Sequence, residues 1–161
     1  MNIFKKLITY FETKINERYA PNVEYVFEYP LSESTKTALI EISERLISQL
    51  GLDATVINKI VFGYDETDSE RYGYYDHNIG EKTVFVNCAT CTESYLIVHT
   101  IAHELYHAWQ LLKTWGIVTT KSALDAIFNE NDADEFGEKE ICKLMPDYCE
   151  CLAEDFPSNF N

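Results

Sequence analysis

The stretch ESYLIVHTIAHELYHAWQLLKTW, Glu93 to Trp115, decides how the rest of the chain reads. It contains neither Pro nor Gly, and Ile97, Val98, Ile101, Ala102, Ala108, Leu111 and Leu112 bury it nearly all round. That pattern predicts one long, largely buried helix from about Thr92, ended by Gly116. Inside it stands His103-Glu104-Leu105-Tyr106-His107, an H-E-x-x-H. Positions i and i+4 lie roughly 40° apart on a helix, so both imidazoles leave one face and can converge on one metal ion. Glu104 is roughly 100° round from His103, where it can reach a water on that metal without taking a coordination position. Two histidines and a glutamate in a buried helix are costly without a partner for their charge, and a divalent cation is such a partner.

A helical pair of histidines needs a third ligand. Downstream, Asn129-Glu130-Asn131-Asp132-Ala133-Asp134-Glu135-Phe136-Gly137 contains E-x-x-A-D. On a helix Glu130 and Asp134 share a face, flanked by the small residues Ala133 and Gly137, which allow close approach to the H-E-x-x-H helix. Glu130 is therefore the expected third ligand, and Asp134 is expected to hydrogen-bond the outer nitrogen of a ligating histidine. Two alternatives stay open: Asp132, which should face away, and His99, which forms an H-x-x-x-H with His103 but has no Glu after it. The set reads as a Zn²⁺ site with His103, His107 and Glu130 as ligands and Glu104 as general base.

Upstream of the long helix the chain alternates helix and strand. Ile3, Phe4, Leu7, Ile8, Phe11, Ile15 and Tyr19 have helical spacing. Val23 to Tyr29 reads as a short strand closed by Pro30, and Ser34 to Leu50 as a helix capped by Gly51. Strands follow at Thr55 to Phe62, Arg71 to His77 and Lys82 to Cys88, the last two forming a hairpin around Asn78 to Gly80. After the long helix, a last one should run from about Ser122 to Leu144 and stop before Pro146. The expected architecture is a single α+β domain over residues 1–161: N-terminal helices, a small three- to four-stranded sheet covered on one face, the H-E-x-x-H helix, and a glutamate-bearing helix.

The chain is acidic, with 13 Lys and Arg against 27 Asp and Glu among 161 residues, a formal charge of −14. Such a surface repels phosphate backbones and anionic lipids, which argues against general nucleic-acid or membrane binding. Thr9, Glu12 and Lys14 interrupt the N-terminal apolar positions, so no signal peptide is expected. Five cysteines then point to reduced thiols in a cytoplasm. Cys88-x-x-Cys91 is half a zinc ribbon without the other half and reads as ordinary thiols. The acidic run Asp65, Glu66, Asp68 and Glu70 reads as a solvated loop.

His103-Glu104-x-x-His107 followed by Glu130-x-x-Ala133-Asp134 resembles the gluzincin pattern of zinc metallopeptidases. Within these it is most similar to the small ImmA/IrrE-type proteins, in which a strand hairpin precedes H-E-L-x-H and an E-x-E-A-N-x-F-A segment ends in L-L-M-P. Here the corresponding segments are E-N-D-A-D-E-F-G and Lys143-Leu144-Met145-Pro146. Asp replaces the second Glu and the Asn, and the gap to the Met-Pro pair is longer. The resemblance covers residues 72–146; residues 1–60 carry no signature. It implies a minigluzincin fold, one zinc, and cleavage of an intracellular protein, such as a regulator or repressor, in a bacterial or phage setting. It also implies that the strand before the hairpin turn faces substrate, where His77 or a tyrosine such as Tyr74 would donate to the oxyanion of a tetrahedral intermediate. Two rival expectations are an acidic, non-catalytic binding protein and a metal-binding domain without turnover.

Overall fold

A computed structural model describes residues 21–78, 81–114 and 126–158. The helix expected over Ile3 to Tyr19 lies outside them, as does Gly116. Strand β1 (Glu24–Phe27) leads into helix α1 (Glu33–Leu50). Ser32 caps α1 by accepting the Thr35 backbone N–H, and Gly51 closes it at φ 63°, a left-handed conformation suited to glycine. Strands β2 (Lys59–Gly63), β3 (Gly73–Asp76) and β4 (Thr83–Asn87) follow, then the H-E-x-x-H helix α2 (Ser94–Thr114) and helix α3 (Glu130–Leu152). The described residues thus form a mixed α and β structure with three helices and one open four-stranded sheet.

The strand order is β1-β2-β4-β3, with β1/β2 and β2/β4 parallel and β3/β4 antiparallel. The expected hairpin is therefore present, and it leaves β3 at the edge. Tyr74 pairs with Phe85 and Tyr75 with Val84, so side chains alternate between the two faces. Tyr75, Val84 and Val86 join the core with Ile97, Ile101 and Leu105 of α2. Tyr74 and Phe85 stack on the opposite face, ring centroids 5.0 Å apart. Helix α2 lies against β3 and β4, and both α1 and α3 pack on α2. This makes α2 the central rod of the structure and brings the edge strand beside its histidines. Among the described residues no helix is long and apolar enough to cross a membrane.

Three boundaries differ from the sequence reading by more than two residues. Strand β2 begins at Lys59 rather than Thr55, because Asp53 folds the preceding segment into a turn: its side chain accepts the Thr55 N–H and its carbonyl accepts those of Val56 and Ile57. The helix expected to run without interruption from about Ser122 to Leu144 is broken at Phe128–Asn129. There Asn129 is extended (φ −97°, ψ 105°) and its side chain caps α3 through the Asp132 N–H. Finally, α3 does not stop before Pro146 but continues to Leu152. Proline removes one helical hydrogen bond at about 3 kcal/mol. Leu144, Tyr148 and Leu152, all buried, bracket it and carry enough packing to keep the helix on.

Candidate metal centre

On α2, His103 and His107 project to one side, and their Nε2 atoms stand 3.0 Å apart. Helix α3 faces them from its first turn. Glu130 Oε2 is 3.1 Å from His103 Nε2 and Glu130 Oε1 is 3.4 Å from His107 Nε2. Asp134, one turn further, places Oδ1 2.9 Å from His103 Nδ1 and 3.9 Å from His99 Nε2. Gly137 allows this closeness, since a Cβ built there would lie 2.8 Å from both His99 Cδ2 and Nε2. Two groups of side chains are tight enough to hold an ion, His103/His107/Glu130 and His99/His103/Asp134. Neither includes Asp132 or a cysteine.

The outer nitrogens decide the chemistry of the inner ones. His107 Nδ1–H donates to Gln110 Oε1 at 2.9 Å, and Gln110 Nε2 donates to the Asn129 carbonyl at 3.2 Å. His103 Nδ1–H faces the Asp134 carboxylate. A neutral imidazole has one proton, so in the neutral form, with Nδ1 protonated, each ring presents a bare Nε2 lone pair. Burial and the neighbouring His107 hold the His103 pKa below the usual histidine range, favouring that neutral form. Two lone pairs 3.0 Å apart, with carboxylate oxygens beside both, repel each other unless a cation lies between them. Zinc ligands at about 2.0–2.1 Å in a tetrahedron stand about 3.3 Å from one another. The spacings of 3.0, 3.1 and 3.4 Å fit that cage. Two imidazoles and one carboxylate also suit zinc better than the all-oxygen sets of magnesium or calcium.

Glu104 lies next to this set, almost entirely buried, with its pKa pushed up to about 8 by burial and by the Glu130 charge. Arg71 and the Tyr75 backbone N–H pull the other way. Gly73 brings the edge strand onto it: a Cβ there would stand 2.6 Å from Thr100 Cγ2, 2.7 Å from the Phe85 carbonyl and 3.3 Å from Glu104 Cγ. A cleft of about 890 Å³ opens over the set, between β3 on one side and α3 on the other.

The remaining singled-out residues distribute themselves around this cleft. His77 and Phe128 line it near His107, with ring centroids of His77–Phe128 and Phe128–His107 at 5.1 and 5.2 Å. Tyr74 lines it too, stacked on Phe85 and carrying the Arg71 guanidinium 5.1 Å from its ring. Tyr75 donates its hydroxyl to the Val56 carbonyl, deep in the core. Cys88 and Cys91 are free, buried thiols whose pKa values burial raises, that of Cys91 to about 12. The sequence reading did not find Gln110, Phe128, Gly73 or Arg71. Gln110 alone had a local signal: a polar residue three positions after His107, on an otherwise apolar run, is within reach of that ring.

Compared with family models, curated proteins and solved structures, the chain matches none.

Proposed function

We propose that this protein is a zinc-dependent peptidase of gluzincin type, acting on a protein or peptide in a reducing compartment. The observation that carries the reading is the pair of bare Nε2 atoms facing each other beside Glu130, with both Nδ1 protons committed to Asp134 and Gln110. His103 and His107, through Nε2, and Glu130, through a carboxylate oxygen, would hold the ion. When bound, zinc polarises a carbonyl and brings the pKa of water to about 7.

The chain's own residues do the rest. Glu104 takes a proton from the attacking water onto its carboxylate and passes it to the leaving amide nitrogen. A carboxylate whose pKa is pushed up towards neutrality exchanges protons near physiological pH with little driving force lost. Asp134 and Gln110 keep the imidazoles turned so that their lone pairs point inward. As the outermost strand among the described residues, β3 borders the cleft, and an extended peptide would lie along it. His77 lies at the His107 end of this cleft, a position from which a side chain would donate to the oxyanion, whereas Tyr74 stacks on Phe85 on the sheet face away from α2 and is not placed to do so. The free thiols among the described cysteines support a reducing compartment.

Metal analysis and peptide cleavage of three proteins test this reading. Wild type should carry about one zinc and cleave. Glu104→Gln should keep the zinc and lose about 10²–10⁴-fold in rate, the contribution of a general base. His103→Ala should lose both. Wild-type protein without stoichiometric divalent metal refutes the site. Undiminished cleavage by Glu104→Gln refutes the mechanism, and full zinc with no cleavage of any protein or peptide leaves a binding domain.

A further inference from the structure

His103 has a carboxylate at each of its ring nitrogens. Its Nε2 stands 3.1 Å from Glu130 Oε2, and its Nδ1 stands 2.9 Å from Asp134 Oδ1. The neutral ring carries one proton, so either nitrogen can donate it to the acid on its own side and leave the other lone pair bare. His107 has no such choice. Its Nδ1 faces the amide oxygen of Gln110, whose orientation is fixed in turn by donation to the Asn129 carbonyl. His103 is therefore the one ring of the pair that can exchange the places of a proton and a cation.

A second set of ligand atoms surrounds its Nδ1 side. His99 lies one turn earlier on α2, and its Nε2 is 3.9 Å from Asp134 Oδ1. Together with His103 Nδ1 these atoms all lie within 4.8 Å of one another. Helix α3 holds the His99 ring in this place, since Gly137 passes so close that a Cβ on it would stand 2.8 Å from Nε2. At 3.9 Å the approach to Asp134 is too long for a hydrogen bond, and the His99 ring makes none with any other described residue. It presents a half-buried, unpartnered nitrogen towards a carboxylate and a second imidazole. Ligands about 2.0–2.1 Å from one zinc ion stand at most about 4.2 Å apart, so a small turn of His99 completes the set. Two imidazoles and a carboxylate again suit zinc better than magnesium or calcium.

We propose that His99 Nε2, His103 Nδ1 and Asp134 form a second zinc position, occupied in place of the inner one and not together with it. An ion binding there takes the Nδ1 lone pair, and the ring's proton passes through solvent to Nε2, where Glu130 accepts it. The two positions exclude each other because the neutral ring offers one bare nitrogen at a time. With spacings of 3.0, 3.1 and 3.4 Å the inner set is nearer to a tetrahedron and holds the ion at equilibrium; the outer set takes it when the inner one is broken. The inference goes beyond the peptidase reading and is tested with zinc alone. Nitrogen NMR of zinc-loaded protein carrying isotopically labelled histidine reports which nitrogen of His103 holds the metal and which the proton. Wild type should show metal on Nε2. His107→Ala, which breaks the inner set, should still bind zinc, with the metal now on His103 Nδ1. Adding His99→Ala to that protein should weaken zinc binding by about tenfold or more, the least that loss of even an outer partner costs. In an otherwise wild-type chain His99→Ala should leave zinc affinity within about threefold, because the inner set does not use it. Should melting of metal-free His107→Ala show that it does not fold, Glu130→Gln breaks the inner set at an exposed side chain, and the same exchange of nitrogens is expected. Metal on Nε2 in the protein with the broken inner set, absence of zinc from it, or an effect of His99→Ala that is the same in both backgrounds overturns the second position. Wild type with metal already on Nδ1 upholds it and removes the inner site. The expected exchange without cleavage of any peptide by wild type upholds it and removes only the peptidase reading.

Discussion

Replacing Gln110 by leucine removes two contacts at once: the acceptor for His107 Nδ1–H at 2.9 Å and the donor to the Asn129 carbonyl at 3.2 Å. The first governs metal binding. Without an acceptor at Nδ1, nothing favours the tautomer that leaves Nε2 bare, and the ring is free to turn. Loss of such an outer partner weakens metal affinity about 10–100-fold, which is about 1.4–2.7 kcal/mol. The second contact governs the metal-free fold, because Asn129 caps the helix that carries Glu130. Losing one hydrogen bond there costs about 1 kcal/mol. Gln110→Glu separates the two effects: a carboxylate still accepts from His107 but cannot donate to Asn129. Competition against a chromophoric chelator should show Gln110→Leu binding zinc 10–100-fold more weakly than wild type, with Gln110→Glu at least as tight as wild type. Thermal unfolding of the metal-free proteins should show both variants destabilised. Zinc affinity within about threefold of wild type for Gln110→Leu, against the expected 10–100-fold, refutes the orienting role. Equal weakening by both variants assigns the loss to packing at the start of α3.

Two further outcomes follow from the same geometry. In metal-free protein Glu104 has its pKa pushed from 4.5 to about 8. The folded state therefore holds this proton more tightly than the unfolded chain, and the stability from the neutral acid is full below about pH 4.5 and lost as pH rises to about 8. At about 1.4 kcal/mol per unit this is on the order of 5 kcal/mol, so denaturant titrations across that window should show wild type losing stability relative to Glu104→Gln; parallel curves refute the burial argument. Gly73→Ala places a methyl 2.7 Å from the Phe85 carbonyl and 2.6 Å from Thr100 Cγ2, so β3 must move off α2. Overpacking of this kind costs about 1–3 kcal/mol, and peptide turnover should fall while zinc affinity holds; an unchanged melting temperature refutes the close approach.

Much of the fold was legible because periodicity and capping are local. Leu39, Ile42 and Leu46 announce α1, Gly51 ends it, and the hydrophobic strands on either side of Asn78 pair as a hairpin. The boundaries that went astray each involve a contest between a local rule and something distant. Pro146 has the local signature of a helix end, but Leu144, Tyr148 and Leu152 dock α3 against the core and override it. Asn129 has a helix-compatible sequence around it, yet its side chain gains more by capping, and the carbonyl it exposes there is taken by Gln110 from another helix. The parallel pairing of β1, β2 and β4 had no local signal either, because register between strands joined through a helix depends on where that helix packs.

The candidate site divides along the same line. His103, Glu104 and His107 are one turn of one helix, so their convergence is readable from spacing alone. Glu130 lies 27 residues from His103, and only its helical relation to Asp134, Ala133 and Gly137 suggested that it belongs there. What the sequence could not express is the chain of contacts these residues make. His107 donates to Gln110, Gln110 to the carbonyl of Asn129, Asn129 caps the helix that begins with Glu130, and Glu130 faces the Nε2 atoms of His107 and His103 across a gap that a cation would bridge. Each link restricts the next: turning the His107 ring costs the Gln110 contact, and freeing Gln110 loosens the helix start that fixes the carboxylate. Imidazoles and a helix start held by such a chain of donors are oriented before an ion arrives, so less ordering entropy is left to oppose binding. The same tie means that a change in how α2 packs on α3 alters all three ligands together, and a neutral amide three residues past the motif, Gln110, carries part of that coupling through its two hydrogen bonds.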